Sequence, residues 1–556
     1  MKEMKKILIY TIAVLSAVGL SGCENWLDIN HDPNNPTSEQ MTEAIMLPAQ
    51  QYAILDNMTN STYAWTLAHY LTKSGEYSGN YTFLNGQVMP QNLNSWWQNY
   101  YYILWNLKTI QEMAVENEDP GYQAISEILQ VIVFQRMVDI WGDIPYSEAC
   151  NPEEIEKPKY DKADSIYTDL IARADAAAKL FESISASYST SELSGVDIIC
   201  HGDIALWTRI AYSVELRLLM RVSNVQDVSA SVSAIYQKCL AIDENVDANP
   251  GYVSEDDKMN IFFQYYGWDK NLNPAVNIRQ YCPTSILVDI LRNNNDPRLR
   301  VYADPRRELG DDEEMGVYYS LYPELVNERY IGIPYGQANP AGIEYTSTTG
   351  TGLLAGSSDK EGGMLRATTF MTGAEVGFLL AEAALRGIIP GGDAAAKDYY
   401  ERSVTSAMKR HEAAMQDASE NFTNYLGDPM QGMRDPIAGT AEEAARTYLD
   451  QDNVLTNWTK MSDETQKLNA ICTQKWLAFM GYNPMEAWFE HRRTDMPELP
   501  ASNQGLQPRL NFSLLPYPQT ERNLNMSNIP DPERNIYSAL VFWDVTQPTV
   551  PATTLY

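Results

Sequence analysis

Residues 134–149, FQRMVDIWGDIPYSEA, join the end of an apolar helix to a turn, and their reading decides what kind of protein this is. Asp139 and Asp143 are four apart, so an unbroken helix would place both carboxylates on one face, as paired acids in a glycosidase cleft require. The helix does not continue. Gly142 is a natural stop signal, and Ile144 before Pro145 is forced toward an extended backbone, which turns Asp143 away from Asp139. A retaining glycosidase would need its two carboxyls about 5 Å apart. The stretch therefore predicts a corner in which Asp143 accepts backbone hydrogen bonds while Trp141 and Tyr146 pack.

Upstream of the corner, Ile125, Ile128, Leu129, Ile132, Val133 and Met137 recur at three- and four-residue spacing, and Val131, Phe134 and Val138 fill the other faces. Such a helix is buried nearly all round. Amphipathic helices follow over 164–181, with Ile166, Leu170, Ala174, Ala177 and Phe181 in register, and over 203–223, with Leu206, Ile210, Val214 and Leu218. At 374–387, AEVGFLLAEAALRG, a glycine break and a second helix over 394–415 make a helical hairpin similar to a tetratricopeptide unit. Small residues such as Ala381 and Ala384 would let its two helices approach. Between 242 and 364 the periodicity gives way to Gly, Pro, Asn, Asp and Tyr, and 416–556 is again loop-rich around one strong helix, QKLNAICTQKWLAFMG. The fold class expected is mainly α: a helical scaffold over about 41–241 and 365–415 with large irregular excursions.

The chain's 556 residues carry a formal charge of −32, which supplies no basic footprint for a nucleic acid partner. The first twenty-two residues, MKEMKKILIYTIAVLSAVGLSG, have a lysine-bearing start and an apolar run from Ile7 to Leu20, the pattern of a signal peptide. Leu20-Ser21-Gly22-Cys23 matches a bacterial lipobox, so Cys23 is the expected lipid attachment site and mature N-terminus. Residues 23–40, polar and proline-bearing, form a leader to a body over 41–556. Cys150, Cys200, Cys239, Cys282 and Cys472 are scattered without a C-x-x-C pair, which leaves any disulfide pairing open. The five histidines, His31, His69, His201, His411 and His491, include no H-E-x-x-H, and neither a G-x-S-x-G elbow nor a phosphate-binding P-loop is present. No cofactor or metal is called for. Arg492 and Arg493, between Glu490 and Asp495, are expected in an ion-pair network.

Several of these segments together resemble the SusD/RagB family of nutrient-binding outer-membrane lipoproteins. They are the lipobox, the leader LDINHDPNNPT, the helix end FQRMVDIWGDIPYSEA, GDIALWTRIAYSVELRLLMRVSN, QKWLAFMGYNPMEAWFEHRRTDMPEL and the closing FWD, in family order along nearly the whole mature chain. The resemblance implies a SusD-like helical fold with tetratricopeptide-like hairpins. It also implies a surface-exposed, lipid-anchored protein at the outer membrane that binds without catalysing, covering a SusC-like TonB-dependent transporter and capturing glycan. A peptide ligand, or a lipidated surface glycoside hydrolase, are the alternatives.

Aromatic rings mark where a ligand would bind. Tyr supplies 35 residues and Trp 12, and rings with a polar edge work half exposed. In residues 73–97, KSGEYSGNYTFLNGQVMPQNLNSWW, Ser95 is expected to cap a helix beginning at Trp96. Trp96 and Trp97 lie about 100° apart on it. Trp97, in register with Tyr101 and Leu104, should face inward, with Tyr100, Tyr101 and Trp105 in the core. Trp96 is expected to form a stacking platform with Tyr77 and Tyr81. Tyr266 and Trp268 would join from a second loop, and Asn80 or Asn85 would bond ligand hydroxyls.

Overall fold

The computed structural model describes residues 41–59, 61–74, 83–84, 87–306, 328–337, 346–418, 436–502 and 511–545. Its long helices are α1 (Glu43–Thr59), α2 (Asn94–Glu116), α3 (Pro120–Trp141), α4 (Ala163–Ser183), α5 (Ile204–Val222), α6 (Gly373–Leu385), α7 (Gly392–Lys409), α8 (Glu464–Phe479) and α9 (Pro484–Thr494). Neighbours in sequence pack on one another: α2 on α3, α3 on α4, α4 on α5, α6 on α7 and α8 on α9, with α8 also against α6. This is the mainly helical, hairpin-built scaffold that the apolar periodicity predicts.

Strands are short and pair in twos. β1 (Leu71–Lys73) lies antiparallel to β5 (Tyr281–Pro283), β2 (Ile144–Pro145) to β3 (Tyr160–Asp161), and β4 (Asn245–Ala248) to β6 (Thr368–Thr372). They pin excursions to the helices, since β6 leads directly into α6, whose N-terminus is capped by the Thr372 hydroxyl accepting from Glu375 N–H at 3.3 Å.

α3 is the centre of the molecule. Asp119 caps its start by accepting from the N–H groups of Gly121 and Tyr122, Pro120 occupies the first turn where no donor is needed, and its residues from Gly121 onward are almost all buried. The helix ends at Gly142, whose φ of 74° only glycine adopts without strain. Beyond it Asp143 accepts from Ala163 N–H at 2.9 Å and from Lys162 Nζ at 2.7 Å, so it caps α4. Trp141 is buried, and the half-buried Tyr146 ring stands edge-on to Phe134 at 4.6 Å. Asp139 instead points into the core, and the two acids share no cleft.

Because α3 is buried on every side, its charged residues need buried partners. Asp139 accepts from Tyr167 Oη at 2.6 Å and Trp543 Nε1 at 2.9 Å and lies 3.3 Å from Arg221 Nη1. Arg221 also pairs with Glu486, Arg217 meets Glu375 at 2.6 Å, and Arg493 bridges Glu382 at 2.6 Å and Glu490 at 2.8 Å. Arg493 thus joins the expected network through Glu490. Asp495 takes the left-handed position that ends α9, and Arg492 donates to the carbonyls of Asp139 and Ser513 while lying 3.9 Å over Trp488.

The C-terminal segment returns to the corner at the end of α3. Leu515 N–H donates to Ile140 O, Trp141 Nε1 donates to Pro516 O, and Arg534 donates to the carbonyls of Trp141 and Leu515. Cys150, Cys200, Cys239 and Cys472 are free thiols.

Candidate functional site

A 3₁₀ turn over Pro90–Leu93 feeds α2, which begins at Asn94. Leu93 takes the N-cap position with no side-chain bond, so Ser95, already inside the helix, is not the cap. Asn94 Oδ1 is used elsewhere, accepting from Thr520 N–H at 3.1 Å. The helical phase nevertheless separates the two tryptophans as expected. Trp97 is buried among Trp141, Tyr101, Tyr160 and Tyr517, whereas Trp96 stays half-buried. Tyr100 is in the core and Tyr101 half-buried, but Trp105 is 50% exposed, a correction to its core assignment. It lies eight residues after Trp97, some 80° out of phase with it.

Trp96 stands at one end of a row of rings. Its edge meets Tyr63 at 5.7 Å, Tyr63 stacks on Phe83 at 4.1 Å, Phe83 meets Phe512 edge-on at 5.9 Å, and Phe512 stacks on Tyr537 at 5.3 Å. Phe83, Phe512 and Tyr537 are buried and act as backing, while Tyr63 and Trp96 are half open. Tyr63 is held by a short helix, Thr62–Leu67, capped by Ser61 Oγ. Nearby, Lys73 Nζ lies 4.1 Å over the Tyr281 ring and donates to Gln280 Oε1 at 3.2 Å. Burial lowers the Lys73 ammonium to about 8, and burial together with the neighbouring Tyr281 raises the Tyr63 phenol, which keeps it a neutral hydrogen-bonding group. Two reachable rings backed by an apolar tier, one of them carrying a phenol, can stack on a flat ligand face and bond hydroxyls.

The other expected contributors are distributed differently. Tyr77, Asn80, Tyr81 and Asn85, like Cys23, lie outside the described residues. Tyr266 and Trp268 are each 1% exposed, which corrects their assignment as open platform rings. Asn260 caps a short helix, Ile261–Tyr266, by accepting from Phe263 N–H at 2.9 Å, so what reads as a loop is a buried turn of helix. It carries Tyr266 onto Trp65, and Trp268 packs against Phe263. Tyr265 is the half-buried ring of that segment. Tyr63 was legible only through the signal STYAWTL, a serine followed by an aromatic and apolar run; its partners Phe83 and Phe512 are remote in sequence. No group of three or more His, Cys, Asp and Glu is placed to hold a metal ion among the described residues.

A family model described as starch-binding and associating with the outer membrane, SusD-like, matches residues 33–517. The chain belongs to the SusD-like family. The solved structures it resembles include a chitin-binding protein (23% identity, TM-score 0.66, covering 91% of this chain and 100% of that one). They also include a SusD homologue from Bacteroides fragilis (18%, 0.68, 91% and 99%) and a chitin-binding SusD homologue from Flavobacterium johnsoniae (19%, 0.64, 90% and 99%). At these identities the likeness establishes the SusD-like fold. No curated protein matches the sequence. No helix among the described residues of this SusD-like chain is long and apolar enough to cross a membrane.

Proposed function

We propose that this SusD-like protein captures glycan at the cell surface and delivers it to a SusC-like TonB-dependent outer-membrane transporter, tethered to the membrane by lipid on Cys23. The observation that carries the reading is the half-open pair Tyr63 and Trp96, backed by Phe83 and Phe512. A pyranose presents a flat C–H face to such rings and hydroxyls to the flanking polar groups, and each stacked ring contributes on the order of 1 kcal/mol. The family's description as starch-binding and the chitin-binding character of two structural relatives support a neutral polysaccharide. The chain's own charge of −32 disfavours a polyanion.

The role is binding without turnover. Asp139, the most conspicuous acid of the opening corner, is spent inside the core on Arg221, Tyr167 and Trp543, and Asp143 on the start of α4. The test is to titrate purified protein with chito-oligosaccharides, malto-oligosaccharides and a peptide pool, while assaying for new reducing ends. Saturable glycan binding without product supports the proposal. Reducing ends formed in proportion to protein, or binding of peptide alone, would overturn it.

A further inference from the structure

A second opening lies on the other side of α2. Trp96 and Gln98 are about 200° apart around that helix, so the face carrying Gln98, Tyr102 and Trp105 looks away from the Tyr63–Trp96 pair. This face forms one wall of a cleft of about 460 Å³, completed by the loop from Pro145 to Pro158 and by the short helix Gln519–Leu524. That volume falls in the range of roughly 300–1,000 Å³ typical of small-ligand sites. Tyr102 is 61% and Trp105 50% exposed, two large rings left in water less than one helical turn apart.

The walls are fixed by side-chain bonds that span long stretches of sequence. Tyr101 Oη donates to Pro145 O at 2.6 Å, Tyr160 Oη to Glu521 Oε2 at 2.8 Å, and Asn525 Nδ2 to Pro158 O at 2.8 Å. The cleft is therefore built into the fold and needs no closure to exist.

Its chemistry selects the ligand class. The lining contains Glu148, Glu156 and Glu521 and no Lys, Arg or His among the described residues. Of the adjacent cations, Lys108 Nζ donates to Cys150 O at 3.1 Å and Lys159 pairs with Glu148 at 2.9 Å, while Lys157 is exposed. An anionic ligand would meet three lining carboxylates, and a wholly apolar one would strip water from them without replacing its hydrogen bonds. A folded protein partner needs about 800 Å² on each side, more than a cleft of this size offers alone. Exposed rings beside carboxylate acceptors suit a neutral ligand with flat C–H faces and many hydroxyl donors.

We infer that this cleft is a second carbohydrate subsite, in which Trp105 and Tyr102 stack on a neutral oligosaccharide and Glu156 and Gln98 bond its hydroxyls. The inference rests on the glycan-binding reading above. Two sites on opposite sides of α2 would let one polymer chain, or two, engage the protein at once and raise retention beyond either site alone.

Calorimetric titration of the full mature chain with the oligosaccharide found in the panel tests this. Two ligands per chain are expected for the wild type, with the affinity of one site lowered several-fold in Trp105→Ala, of the other in Trp96→Ala, and of both in the double variant. Retention on insoluble polysaccharide should fall several-fold in Trp105→Ala. Trp105 is half exposed, so its truncation should leave the thermal midpoint within a degree or two, and Tyr102→Ala gives an independent second variant. A single site, weakened by Trp96→Ala alone, with Trp105→Ala and Tyr102→Ala unchanged, overturns the inference and leaves the proposed function standing. Glycan binding unchanged in Trp105→Ala together with loss of a co-purifying transporter also overturns it, assigning the face to a protein. A wild type that binds no glycan removes both readings.

Discussion

Asp139 Oδ2 lies 3.3 Å from Arg221 Nη1 with both side chains wholly buried, and this pair ties α3 to α5 at the middle of the molecule. Removing one member leaves the other charged in a dry interior, which is where buried pairs exert their largest effect. Asp139→Ala should lower stability by about 3–5 kcal/mol, measured as a shift of the urea midpoint at unchanged slope. Asp139→Asn, which keeps the Tyr167 and Trp543 contacts in part, should lose less. A folded Asp139→Asn protein should bind glycan as the wild type does, because the residue faces no opening.

The two classes of aromatic residue should separate cleanly. Trp96→Ala is expected to weaken ligand binding several-fold, in line with about 1 kcal/mol for one stacked ring, with little change in the unfolding midpoint. Trp268→Ala, which empties a site in the core, should instead cost about 3–5 kcal/mol of stability. Parallel binding and denaturation curves for the two variants check both outcomes.

Stability should fall on acidification in two steps. Burial, reinforced by the adjacent Arg492, lowers His491 from 6.5 to about 4. The unfolded chain therefore takes up this proton first, and stability is lost as pH falls from 6.5 toward 4. Burial alone would raise the Glu382 carboxyl, but Arg493 and Lys475 outweigh it and hold it at about 2. Its contribution is present above about 4.5 and is lost as pH falls from there toward 2. Glu215 runs the other way, raised by burial and by Asp175 to about 7, so stability it supplies in acid is lost as pH rises through 7. The stability of Glu215→Gln relative to wild type should accordingly increase between pH 5 and pH 8, read from denaturation at each pH.

At the α6–α7 hairpin a Cβ on Gly377 would come within 2.0 Å of Ser403 Oγ, which is itself donating to Tyr399 O at 2.6 Å. Gly377→Ala should lower stability by about 1–3 kcal/mol through overpacking, despite alanine's better helix propensity. Adding Ser403→Ala should recover part of the loss, a coupling that a double-mutant cycle measures directly.

If lipid on Cys23 is the anchor, as proposed above, Cys23→Ala should release the protein from the membrane fraction. Fractionation of cells expressing each form checks this. Quantitative retention of the variant in the outer membrane would make docking to a partner, and not lipid, the main anchor.

What could be read from sequence follows from which forces are local. α3, α4, α5 and the α6–α7 hairpin announce themselves because their apolar residues repeat at helical spacing, and the corner at Gly142 because glycine and proline act on their own neighbours. α9 is harder: Glu486, Glu490, Arg492 and Arg493 give it the composition of a solvated helix, and only their distant partners on α3, α5 and α6 make it a core element. The aromatic run at Tyr100–Tyr102 must send rings in several directions, and nothing in the run itself tells that Tyr102 and Trp105 face water. The row of rings was beyond reach for the same reason, since Tyr63, Phe83, Trp96 and Phe512 meet only after the chain has crossed the molecule. The Asn260 cap was present in the sequence, but Gly267 and the polar residues after it disguised the short helix as a loop.

The return of residues 511–545 to the end of α3 has a bearing on how the protein is made. Trp543 supplies a hydrogen bond to Asp139, and Leu515 and Pro516 close over Ile140 and Trp141, so the innermost helix is sealed by some of the last described residues of the chain. The N-terminal part of the chain is made first and has to wait, with a charged centre still incomplete, until the tail arrives. A chain cut short before residue 511 is consequently an unfinished interior rather than a smaller version of the same fold, and proteases would have a built-in means of telling the two apart.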